Sequence, residues 1–123
     1  MTRINLVPPK ALSRQHLLAE YRELPRIFSL ARKRSAKERP EEWQGLPCDY
    51  VLGRGHVLFF TRRLLFLLVR YQSLIDEMRA RGYNPNPVPL ARLVKGIPSA
   101  CFNNYIPTVQ AIRLNQRRIK ERS

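Results

Sequence analysis

Acidic side chains are scarce in this sequence: nine Asp and Glu stand against 23 Lys and Arg in 123 residues. The imbalance leaves a formal charge of +14 and a sequence pI near 11.1. Charge of this size predicts attraction to an anionic partner, and nucleic acid fits better than a small acidic ligand. Cysteine is nearly absent. Cys48 and Cys101 stand in neither a CxxC nor a metal-ligand spacing, which argues against a zinc site and predicts free thiols in a reducing, cytoplasmic compartment. Long apolar runs are missing too. The most apolar stretch, Val57 to Val69, is broken by Arg62 and Arg63 and is shorter than the roughly 20 residues a membrane span needs. The opening MTRINLVPPK has no apolar stretch of signal-peptide length. Neither a membrane nor an export role is expected.

What remains is enough for one ordinary core. Hydrophobic residues make up 44% of the chain, which excludes a wholly disordered basic tail, and the length suits one domain over residues 1–123. Pro8 and Pro9 predict an extended start, with Ser13 as a cap. From about Arg14 to Lys37, Leu17, Tyr21, Leu24, Phe28 and Ala31 recur at three- and four-residue steps, the mark of a helix with one buried stripe. Pro25 should kink it near Tyr21 to Glu23. A long connection over 39–56 comes next, with a helical turn near Glu41. A second helix is expected from about Thr61 to Arg81, with Leu64, Leu68, Tyr71, Ile75 and Met78 inside and Gly82 as its stop. Residues 83–107 carry five prolines and read as loop with one turn near Leu90 to Val94. A last helix from about Thr108 would bury Val109, Ile112, Gln116 and Ile119. No strand pattern or internal repeat is visible. The expectation is an all-α domain of three main helices joined by long irregular connections.

At about 100° per residue, the first helix has two faces. Opposite its apolar stripe lie Gln15, Arg22, Arg26 and Lys33. Arginine forks match phosphates, and glutamine can bond sugar, phosphate or base. A solvated helix face has the same pattern. Glu23 stands about 60° from Arg26 on that wheel, either as an ion-pair partner or as a carboxylate facing a nucleic-acid groove. His16 reads as a partly exposed helix histidine or as part of that surface.

The strings MTRINL, QHLLAEYRELPRIF (Gln15 to Phe28) and LGRGHVLFF (Leu52 to Phe60) occur in order, with ARGYN at Ala80 to Asn84 and NYIP at Asn104 to Pro107. Together they resemble the family of pyrimidine-dimer DNA glycosylases with abasic-site lyase activity. The resemblance implies a helical domain without disulfide, metal or cofactor, acting on damaged double-stranded DNA. It implies that Met1 is removed and that the α-amine of Thr2 is the nucleophile, with Glu23 as the catalytic carboxylate. It also implies DNA contacts at Arg3, Gln15, His16, Arg22 and Arg26, and backbone contacts at Lys33 and Arg118. Chemistry agrees with the choice of nucleophile. An α-amine with a pKa near 7.7–8.0 is about a tenth unprotonated at pH 7, against under about 0.1% for a lysine. The family's familiar member continues past its last helix into an aromatic-rich tail associated with lesion recognition, whereas this sequence stops at Ser123, so the resemblance carries the lyase chemistry further than the dimer specificity.

The expected function is therefore excision of cyclobutane pyrimidine dimers by imine formation and β-elimination. The expected enzyme is a monomer working wherever bacterial or viral DNA lies. Two alternatives stay open at this point: a lyase or glycosylase for other damaged bases, and a non-catalytic basic DNA-binding protein. An RNA-binding module would need an aromatic stacking platform or RNA motif, and neither is evident.

Overall fold

The computed structural model describes residues 3–122. Among them the regular structure is helical throughout, with six α-helices, four short 3-10 turns and no strand. Helix α1 spans Arg14–Glu23, opened by Ser13, whose hydroxyl accepts the His16 N–H. Helix α2 spans Pro25–Lys37. The single helix expected over this stretch is thus two. Pro25 has no N–H for the Tyr21 carbonyl and its ring crowds that carbonyl, so the ladder breaks at Leu24. Leu17, Leu24, Phe28 and Ala31 still share one buried side. Tyr21 is half-buried and stacks on Tyr71 with ring centroids 5.6 Å apart.

A helix that the sequence did not announce, α3 (His56–Phe60), comes after a 3-10 turn over Gly53–Gly55. Both glycines are needed there. Gly53 has φ +77°, and a Cβ on Gly55 would come within 2.8 Å of the Pro47 ring. Helix α4 covers Leu64–Ala80, beginning later than Thr61. Thr61 instead closes α3, its hydroxyl and N–H both donating to the Leu58 carbonyl. Gly82, at φ +88°, stops α4 as expected, with Tyr83 N–H returning to the Met78 carbonyl at 2.9 Å. The turn near Leu90 is helix α5 (Leu90–Val94). Helix α6 spans Val109–Glu121, capped by Thr108 through the Ala111 N–H at 3.0 Å.

The core joins Leu17, Leu24 and Phe28 to Phe59, Phe60, Leu64, Leu67 and Leu74, all essentially without exposure. Each such side chain contributes about 1.5–3 kcal/mol when fully buried. On α4, Leu68 is only half-buried, while Leu67 and Leu74, outside the expected stripe, are fully inside. The expected inner face of α6 is also corrected. Val109 is 61% exposed and Gln116 is exposed, whereas Ala111 and Asn115 are buried. Asn115 turns inward because it supplies hydrogen bonds that an apolar residue cannot. Among the described residues, no helix is long and apolar enough to cross a membrane.

Candidate active site

The extended segment at residues 3–7 has no sheet to join, yet Ile4, Asn5 and Val7 are buried. Its backbone polar groups must therefore find partners elsewhere, and side chains from distant elements provide them. Ile4 N–H donates to His56 Nε2 at 2.8 Å, and its carbonyl accepts the Tyr50 hydroxyl at 2.9 Å. Leu6 and Val7 N–H both donate to Asn115 Oδ1, at 2.6 and 3.2 Å, and the Val7 carbonyl accepts Arg70 Nη1. Asn115 in turn donates to Asn5 Oδ1, and Asn5 Nδ2 donates to Glu20 Oε1, each at 2.8 Å.

Glu20 and Arg70 form the centre of this network. Arg70 Nε and Nη2 reach the two Glu20 carboxylate oxygens at 2.7 and 2.9 Å. The pair is almost fully buried. Two-pronged geometry and the further bonds to Asn5 and Val7 compensate its desolvation. Removal of either partner would leave an unpaired buried charge, worth about 3–5 kcal/mol.

Beside this anchored segment lies a cavity of about 220 Å³ between α1 and α6, lined by Arg3, Gln15, His16, Glu20, Glu23 and Arg118, among others. Cations dominate it. Burial pushes the Arg3 guanidinium down from its ordinary pKa, and repulsion from Arg118 and Arg122 adds to that push. Among the described residues, Arg3 Nη1, His16 Nε2 and Arg118 Nε are buried atoms with no hydrogen-bond partner. Buried polar atoms are ordinarily satisfied, so this wall is short of acceptors. Glu23 is the open carboxylate here. Its ion pair to Arg26 is long, at 3.9 Å, and the Arg26 side chain is 70% exposed. Such a contact holds a carboxylate only weakly.

A sequence model described as pyrimidine dimer DNA glycosylase matches residues 1–88, which include α1 to α4 and the whole of MTRINL, QHLLAEYRELPRIF, LGRGHVLFF and ARGYN. That is 88 of 123 residues. The chain belongs to the pyrimidine dimer DNA glycosylase family. Helix α6 lies beyond the match, although it gives this glycosylase-family chain one wall of its cavity.

Arg3, Gln15, His16, Glu23 and Arg118, drawn from three separate stretches of sequence, meet at the cavity. Arg22 and Arg26 are exposed on α1 and α2 and do not line it, and Lys33 is exposed further along α2. Thr2 lies outside the described residues. Sequence reasoning missed Asn5, Glu20 and Arg122 in the lining, and Tyr50, His56, Arg70 and Asn115 behind it. Glu20 had a signal: on the α1 wheel it falls about 60° from Leu17, at the edge of the buried stripe.

Proposed function

We propose that this family member is a bifunctional enzyme for damaged duplex DNA, cutting first a glycosidic bond and then the strand. The observation that carries the reading is the shared cavity: Arg3, joined covalently to Thr2, lines it with Glu23, and buried nitrogens of Arg3, His16 and Arg118 there lack a hydrogen-bond partner. After removal of Met1, the neutral α-amine of Thr2 attacks C1′ of the 5′ sugar of a cyclobutane dimer. The C1′–N bond breaks and the base leaves with its electron pair, taking up a proton. Ring opening gives an imine between the Thr2 nitrogen and C1′. Loss of a C2′ proton then expels the 3′ phosphate, and water releases the amine.

Glu23 serves this sequence as the proton-handling carboxylate and as the counter-charge to the developing cation. Arg22, Arg26 and Lys33 hold backbone phosphates, and Arg3, Gln15, His16 and Arg118 hold the sugar-phosphate beside the reacting carbon. Extrusion of a nucleotide costs less where pairing is already disturbed, which favours damaged sites. One copy of the chain supplies every group, so the scheme runs in a monomer.

The test is strand cleavage of a duplex carrying a single cyclobutane dimer. Wild type is expected to nick it in EDTA, since the scheme uses only groups of the chain. Glu23→Gln keeps the side-chain shape and is expected to lose at least about a hundredfold in rate, the usual scale for an acid/base group, with duplex binding retained. A dimer left intact by wild type, or cleavage by Glu23→Gln at the wild-type rate, would contradict the reading.

A further inference from the structure

We propose that His56 and Tyr50 are positioning residues for the amine of residue 2, acting together as a clamp on Ile4. The inference rests on the amine mechanism proposed for this site. Among the described residues, the bonds at Ile4 are the backbone hydrogen bonds nearest the N-terminus: its N–H goes to His56 Nε2 and its carbonyl receives the Tyr50 hydroxyl. Ile4 stands two residues from Thr2, and Arg3 between them reaches the cavity. The clamp thus fixes the last residue held before the proposed nucleophile, from both of its polar sides.

The clamp is itself held rigid. His56 Nδ1 lies 2.8 Å from the Val51 carbonyl. A carbonyl only accepts, so Nδ1 carries the proton and Nε2 keeps its lone pair for Ile4. The His56 and Tyr50 rings meet edge to face at 5.2 Å, and Phe60 packs against both, with centroids at 5.5 and 6.0 Å. His56 and Tyr50 are 1% and 4% exposed, and neither lines the cavity. They have no route to DNA except through the segment they hold. Their loss should therefore change how often the amine meets C1′, not how tightly DNA is held. A displacement of about 1 Å at a reacting group can cost about a hundredfold in rate.

The experiment uses the full chain and a duplex with one abasic site. It measures the single-turnover rate of adduct formation in sodium cyanoborohydride at saturating DNA, and separately the duplex Kd. His56→Phe removes the acceptor, Tyr50→Phe removes only the hydroxyl, and His56→Gln restores an acceptor where Nε2 stood. His56→Phe and Tyr50→Phe are expected to form adduct at least about tenfold more slowly with Kd within about twofold, and His56→Gln to recover most of the rate. Wild-type rates in both Phe variants, a loss confined to Kd, or a Gln variant as slow as the Phe variant would overturn the proposal. If His56→Phe does not fold, Tyr50→Phe decides alone, because it keeps the ring and its packing. Absence of adduct in wild type is a separate result: it removes the amine mechanism itself, and the clamp's role with it.

Discussion

Glu20 and Glu23 stand three residues apart on one helix and have opposite fates. Glu20 is buried and fully engaged by Arg70 and Asn5, which makes it part of the scaffold. Glu23 looks into the cavity with one distant, solvent-exposed partner, which leaves it available for chemistry. The sequence marked Glu23 through its resemblance and set Glu20 at the edge of the buried stripe, but the engagement of Glu20 depends on the arginine that α4 brings opposite α1. His56 has a consequence of its own. Burial, the dominant cause, holds its imidazole at about 4, against 6.5 for an unperturbed histidine; the bond to Val51 acts the other way, and Arg3 adds to the lowering. The unfolded chain takes up this proton at higher pH than the folded one. Stability from this residue is therefore complete above about pH 6.5 and is lost as pH falls towards 4, by about 2–3 kcal/mol at pH 4.5. Urea unfolding at pH 7.5 and 4.5 should show that loss in wild type and a smaller one in His56→Gln, which cannot titrate. Equal losses would place the acid sensitivity elsewhere.

At the scale of elements, the sequence was legible where one residue has a local, compulsory effect. Pro25 interrupts a ladder, Gly82 stops one, and Ser13 caps the helix it precedes. It was not legible where the deciding partner is remote. Helix α3 is too short to show a period, and α6 turns a polar residue inward because Leu6 and Val7, more than a hundred residues earlier, need an acceptor. Arg32 on α2 shows the same dependence. It donates to the carbonyls of Arg92, Leu93 and Lys95 at 3.0, 2.7 and 2.6 Å, which ties the end of α5 to α2 and supplies positive charge where helix carbonyls are unpaired. Arg32→Ala is expected to lower unfolding stability by about 1–2 kcal/mol and to speed proteolysis within residues 83–99. Unchanged cleavage there would mean that the proline-rich segment is held by its apolar contacts alone.

For the whole molecule, two groups among the 23 cationic residues behind the +14 charge bear on the site. Arg3, Arg118 and Arg122 line the cavity, where Arg118 and Arg122 repel Arg3, while Arg22, Arg26 and Lys33 lie outside on α1 and α2. The outer group suits phosphate contacts along a duplex, and each such contact releases counterions. Arg26→Ala should weaken duplex binding and reduce the slope of log K against log salt by about 0.9; an unaltered slope would place Arg26 away from the backbone. Composition predicted the charge, but only the fold shows that some of it converges next to a single open carboxylate.

The amine mechanism proposed for this site requires a covalent bond between the Thr2 nitrogen and the sugar. Wild-type protein trapped with borohydride on abasic duplex, digested and sequenced by mass spectrometry, should carry the sugar fragment on the α-nitrogen of Thr2, with Met1 gone. Attachment to a lysine side chain, or an adduct on protein that still begins with Met1, would contradict the amine mechanism.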